Sequence, residues 1–158
     1  FVAHECILDF RDLKSKTGLS VNDLAKRLID YSFHAPTISW PVPETIMIEP
    51  TESESLVELD RFCEAMLLIG EEINEIENNI ELKNNNVISN SPHTLKELIA
   101  DNWNYPYSKE KASFPYETQT DIKFWSSVSR INNAYGDRNL ICSCNVNQEV
   151  TLEEKKCA

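Results

Sequence analysis

Apolar residues recur at two different periods along the chain, and the changes of period divide it into elements. Residues 2–10, VAHECILDF, alternate around Cys6-Ile7-Leu8, which predicts a strand with one well-buried face. Arg11 to Thr17 is charged and polar, and Gly18 closes it as a loop. Ser20-Val21-Asn22-Asp23 then opens a helix, since the serine hydroxyl can accept from the N–H three residues on and the acid favours the positive helix end. Val21, Leu24, Leu28 and Tyr31 keep helical spacing, with Ala25 and Ile29 widening the stripe. Lys26, Arg27 and Asp30 are read as the opposite, polar side.

Two short β-type runs follow, Thr37–Trp40 and Thr45–Ile48, around the corner Pro41-Val42-Pro43-Glu44. The second empties into Pro50-Thr51-Glu52-Ser53-Glu54, where Thr51 reads as the N-cap and Glu54 as the N3 residue of the longest helix. Its apolar register runs Leu56, Leu59, Phe62/Cys63, Met66, Ile69, Ile73, Ile76, Ile80. The second half thins to isoleucines between acids and is expected to leave the core, with Glu71–Glu77 as a solvated face. Asn84-Asn85-Asn86 marks a break. Thr94-Leu95-Lys96-Glu97 caps a short helix to about Asn102, and the Tyr- and Pro-rich stretch 103–119 is expected to lie extended, anchored by its rings. Phe124, Val128, Ile131 and Tyr135 are helically spaced, with Gly136 as the terminating glycine. Leu140-Ile141-Cys142 is the last apolar run, and the tail from Asn145 is polar.

This order predicts an α+β fold: a small antiparallel sheet with helices on one face. Residues 1–83 read as the small α+β domain, 84–92 as a linker, and 93–158 as a C-terminal extension with an aromatic and Pro-rich segment, short helices and a mobile tail. The bare sheet face needs a partner, and a chain that begins within a strand reads as a piece of something longer.

Composition narrows the function. A net charge of −11 over 158 residues leaves no basic stripe, so neither nucleic acid nor an anionic membrane surface is an expected partner. The cysteines Cys6, Cys63, Cys142, Cys144 and Cys157 form no metal-binding pairs, so no metal is expected. Cys6 and Cys63 are expected as small core residues, whereas Cys142 and Cys144 lie near an end, open to oxidation. His34, before Ala35-Pro36-Thr37, can contact a ligand or serve as a turn residue. Glu49 and Thr51 stand at a strand end and helix start, and His4-Glu5 can face a cleft. His93 is read as a turn residue. Arg130 and Arg138 can hold a carboxylate or answer nearby acids. No P-loop, dinucleotide fingerprint, nucleophile elbow or zincin motif occurs.

One resemblance goes further. VAHECILDFR, DLAKRLIDYSFHAPTISWPVPETIMIEPTESES, ELDRFCEAM and YGDRNLICSC closely resemble the C-terminal part of the glycine decarboxylases, the P-proteins of the glycine cleavage system. It extends from about residue 2 to residue 144, with Ser32 where Gly is usual before Phe33 and Trp40 where Phe is usual. It implies the small domain of a fold-type-I pyridoxal phosphate enzyme that decarboxylates glycine and passes the aminomethyl group to the lipoyl arm of H-protein. It further implies a homodimer, in bacterial cytoplasm or the mitochondrial matrix. The Schiff-base lysine and most of the cofactor site would lie upstream of this chain. His34, Thr37, Glu49, Thr51 and His4 are then candidates for the wall of the substrate site. Many fold-type-I relatives hold the substrate carboxylate with an arginine of the small domain, and Met47 aligns with it here. A decarboxylase gains by avoiding that ion pair, because the carboxylate charge is lost in the transition state. The competing reading is a non-catalytic interaction or regulatory module built on the same small domain.

Overall fold

The computed structural model describes residues 4–79, 82–116 and 123–141. It contains an antiparallel sheet of three short strands, β1 (Cys6–Asp9), β2 (Thr37–Ile38) and β3 (Thr45–Ile48), in the order β1-β3-β2. The helices are α1 (Leu13–Thr17), α2 (Val21–Asp30), α3 (Leu56–Asn78), α4 (Leu95–Ile99), α5 (Lys109–Ser113) and α6 (Asn133–Arg138). The α+β class read from the sequence is the one observed.

The register explains how the sheet packs. Leu8, Ile46 and Ile38 form one cross-strand row, with Cys6 opposite Ile48 in the next. Side chains alternate across a strand, so these rows share a face. That face meets α2 and α3, and Ile46 is fully buried. The neighbouring row, Ile7–Met47–Thr37, points outward, and Ile7 is 45% exposed. Leu24, Leu28, Ile69, Ile76, Val87 and Ile88 complete the core. Burying each such side chain contributes about 1.5–3 kcal/mol.

Several local expectations change. Arg11–Thr17 is not all loop, because its second part forms α1, which ends at Gly18 with φ +81°. Leu13 and Thr17, four apart, turn inward together. The Thr37–Trp40 run is a strand only to Ile38, since Ser39 takes a left-handed conformation and Pro41 offers no N–H. The long helix starts four residues later than read: Ser55, not Thr51, accepts from the N–H of Glu58, at 3.3 Å. Both positions carry the Thr/Ser-x-x-Glu pattern, but Thr51–Glu54 closes only a turn, Glu54 N–H to Thr51 O. Ser55→Ala is therefore expected to cost about 1 kcal/mol and Thr51→Ala much less, read as a difference in denaturation midpoints. The second half of α3 does not leave the core, for Ile69, Glu72 and Ile76 are all buried. Cys6 is half-buried and Cys63 exposed, so neither is a core residue.

The stretch read as a linker is also packed. Asn86 and Ser89 satisfy one another's backbone groups, which lets Val87 and Ile88 be buried. The Thr94–Glu97 capping box is present, although α4 ends at Ile99. The expected helix from Phe124 to Tyr135 is only α6, with Gly136 inside it and Asn139 as its C-cap. Arg130 explains this. It reaches the carboxylate of Asp23 and the carbonyl of Ser91, 3.2 Å away, and so draws the preceding backbone across α2. Ile80, Cys142, Cys144 and the tail from Asn145 lie outside the described residues.

Candidate functional site

The antiparallel order places the start of β1, the start of β2 and the end of β3 at one end of the sheet. His4 and Glu49 come together there. His4 Nε2 is 3.1 Å from Glu5, and ligand atoms of His4, Glu5 and Glu49 lie within 4.8 Å of one another, all three side chains exposed. Thr37 is exposed beside Met47 on the outward face, and His34, also exposed, precedes it at the same end. Thr51 is exposed too, its hydroxyl 2.8 Å from that of Ser53. The five candidates thus share an end of the sheet, but only His4 and Glu49 are brought within contact range of each other by the geometry described.

The turn that leads into His34 is built with more care than the sequence suggests. α2 ends in a Schellman motif: Phe33 N–H donates to Leu28 O at 3.0 Å, and Ser32 N–H to Ile29 O at 2.9 Å. Ser32 occupies the left-handed position, φ +63°. Arg61 of α3 stacks its guanidinium over the Phe33 ring, 3.7 Å from the centroid, and donates to Tyr31 O at 3.0 Å. Phe62 meets Phe33 edge-on at 5.2 Å.

Behind this turn lies a charge network that the sequence reading missed. By its charge Arg27 reads as part of the polar face of α2, yet it is fully buried. Its Nε and Nη2 donate to Glu72 at 2.9 and 2.5 Å, and its Nη1 to Asp30 at 3.0 Å. The remaining N–H groups donate to Lys111 O and Ala112 O, each at 2.8 Å. Every guanidinium N–H therefore has an acceptor. Those two carbonyls end α5, where helix carbonyls lack intrahelical partners and attract a cation. Glu72, read as part of a solvated run, is buried to meet Arg27. Asp30 also accepts from His93, from the backbone N–H at 2.7 Å and facing Nδ1 at 2.8 Å. The other ring nitrogen of His93 is 2.9 Å from the Tyr107 hydroxyl. His93 is thus a buried hub among Trp103, Tyr105 and Tyr107, and more than a turn residue.

The electrostatics follow from this packing. Burial works against the charge of Arg27, but Glu72 and Asp30 outweigh it and hold the guanidinium above its ordinary pKa. Burial alone would raise the Asp30 carboxyl. The His93 hydrogen bond and the Arg27 charge reverse that and keep it below the usual carboxylate range. Burial pushes the Tyr31 and Tyr107 hydroxyls up. Burial pulls the ammonium of Lys123, which donates to Asp30 O, down to about 8.

Among the described residues, pyridoxal phosphate, implied by the resemblance, does not fit the cleft present. It needs a lysine amine for its aldehyde and a cradle of N–H groups or cations for its phosphate. A cleft of about 580 Å³ lies at the other end of the sheet, lined by Asp9, Arg11, Asp12, Lys16 and Glu77 among others. Carboxylates outnumber cations there, and Arg11 is already held by Asp9 at 2.5–3.0 Å. Elsewhere Lys111 pairs with Glu75 and Lys109 with the carbonyls of Leu98 and Ala100.

Comparison with known proteins agrees with the sequence resemblance. A family described as "Glycine dehydrogenase, C-terminal domain" matches residues 1–93. "Glycine dehydrogenase (decarboxylating)" of Prochlorococcus marinus (strain NATL1A) is 64% identical over 143 residues, 90% of this chain and 15% of that protein. The mitochondrial protein of that name from Dictyostelium discoideum is 59% identical over 143 residues, 90% of this chain and 14% of that protein. The Aliivibrio fischeri protein is 55% identical over 143 residues, again 90% of this chain and 15% of that protein. The chain thus spans about 15% of the length of these curated relatives. Among the described residues no helix is long and apolar enough to cross a membrane. With the motifs, the α+β fold and the matched residues in agreement, this chain belongs to the family of the glycine dehydrogenase C-terminal domain.

Proposed function

We propose that this chain is the C-terminal part of an enzyme that decarboxylates glycine with pyridoxal phosphate and passes the aminomethyl group to the lipoyl arm of H-protein. The observation that carries this reading is 64% identity, over 90% of the chain, to a protein named for that decarboxylation. The chain supplies the small domain of a fold-type-I enzyme acting as a homodimer, in bacterial cytoplasm or the mitochondrial matrix. Relatives from bacteria and one named mitochondrial support either compartment.

Its own contribution is a wall of the substrate site, formed by His4, His34, Thr37, Glu49 and Thr51 at one end of the sheet. Met47 stands between Ile7 and Thr37 in the outward row. That row presents a branched alkyl chain, a thioether and a hydroxyl, and no guanidinium. Of the five arginines, Arg11, Arg27, Arg61 and Arg130 are each held by a carboxylate of this chain, and Arg138 is the last residue of α6. A glycine carboxylate left without a fixed cation on this side keeps less ground-state stabilisation to lose as its charge disappears.

Two measurements test the reading. The full-length protein with pyridoxal phosphate and lipoylated H-protein is expected to release labelled carbon dioxide from carboxyl-labelled glycine, and no release would overturn the assignment. The isolated chain mixed with the cofactor is expected to develop no internal-aldimine absorbance. A stable band would place a Schiff-base lysine within these residues.

A further inference from the structure

The end of α2 is fastened from two sides, and one of these fastenings comes from far along the sequence. Lys123 Nζ donates to the carbonyl of Asp30, the last residue of α2. The next residue, Phe124, donates its backbone N–H to Ser32 Oγ at 2.9 Å. The aromatic rings of Phe114 and Trp125 flank the Lys123 ammonium at 5.9 and 5.0 Å, and they meet each other edge-on. Lys123 is half-buried by them. On the opposite side, Arg61 holds the next carbonyl, Tyr31 O.

Ser32 is the unusual member. It fills the left-handed position of a Schellman motif, which glycine occupies without steric cost and a residue with a Cβ does not. Its φ is +63°. Glycine would relieve the backbone, but it has no hydroxyl to receive Phe124. The side chain that strains the turn is thus the one that ties residue 124 to it. Two residues further on is His34, and Thr37 opens β2.

We propose that residues 123–125 form a clip on the end of α2, with Ser32 and Lys123 as its contact points, and that Ser32 is a positioning residue for the His34–Thr37 wall. This rests on the reading of that wall as part of a glycine site. Ser32 itself touches no substrate. It acts by restricting the swing of the chain between α2 and β2, adding to the hold of the helix end, Arg61 and Phe62 on the same turn.

The test uses the full-length protein bearing Ser32→Gly, Ser32→Ala or Lys123→Met. Hydrogen exchange is followed at the Phe124 amide and across residues 33–38, alongside the melting temperature and the KM and kcat for glycine. Loss of one hydrogen bond is expected to speed exchange at Phe124 about five-fold in both Ser32 variants. Exchange across 33–38 should rise with it. Ser32→Gly is the decisive variant, because it removes the backbone strain together with the hydroxyl. Its melting temperature should hold or rise while KM for glycine increases several-fold and kcat changes little. Lys123→Met should shift exchange in the same direction. A purely structural serine would move stability and leave KM alone. Wild-type exchange at Phe124 or across 33–38 in Ser32→Gly would overturn the proposal, as would an unchanged KM. If the wild-type protein does not turn over glycine, the proposed function fails, and the exchange measurements alone decide whether the clip exists.

Discussion

Arg27→Met is expected to lower the stability of the chain by about 3–5 kcal/mol, read as a fall in the denaturation midpoint at unchanged slope. The loss does not come from methionine itself, which fills much of the same volume. It comes from what the guanidinium leaves behind. Glu72 and Asp30 are 6% and 2% exposed, and both would keep a charge with its main cation removed. Two α5 carbonyls would lose their donors at the same time. An uncompensated buried charge costs far more than a paired one gains. The double variant Arg27→Met/Glu72→Leu should therefore recover part of the loss, because it removes one stranded carboxylate. A midpoint near wild type for the single variant would mean that water reaches the site.

Truncation after His93, the last residue matched by the family, is expected to abolish cooperative unfolding. Residues 94–158 look dispensable from that boundary, but Arg27 and His93 both reach past it. Arg27 loses the carbonyls of Lys111 and Ala112, and His93 loses Tyr107 and its neighbouring rings. A buried arginine with open donors and a histidine stripped of its cover would draw water into the centre of the fold. A cut after Tyr116 keeps these contacts and should retain a sigmoidal transition in urea. Equal, sharp transitions for both truncated chains would show that the folding unit ends at 93.

What the sequence revealed was local. Ser20 with Asp23, and Thr94 with Glu97, are capping pairs three residues apart, and the structure contains both helix starts. β3 was legible because Thr45–Ile48 is a short β-rich run between prolines. That the start of β1 and the end of β3 meet, bringing His4 near Glu49, needed the strand register, which no local pattern gives. The charge network was hidden because a periodicity argument assigns every charged residue to the water side. A signal was nonetheless available. Arg27 lies three residues after Leu24 and four before Tyr31, inside the apolar stripe. Glu72 stands three after Ile69 and four before Ile76, in the same relation to its own helix. Opposite charges at matched stripe positions on two helices are candidates for burial against each other. The region around Arg130 was illegible for a different reason. Helical spacing in residues 124–135 is overridden by contacts with Asp23 and Ser91, far away in sequence. No local pattern encodes a partner 107 positions distant.

The reach of Arg27 also sets an order of events during synthesis. Its last acceptor, Ala112 O, lies 85 residues downstream. At about 5–20 residues per second the ribosome needs roughly 4–17 s to make that interval. Once Glu72 is made, 45 residues after Arg27, the guanidinium can be held by Glu72 and Asp30 but is not sealed from water until Ala112 arrives. α5 is too short to persist as an isolated helix, so it forms on arrival, against a cation already waiting for its carbonyl end. The nascent α2–α3 pair is in this sense an unfinished surface for several seconds, and the segment that finishes it is the one the same chain delivers next.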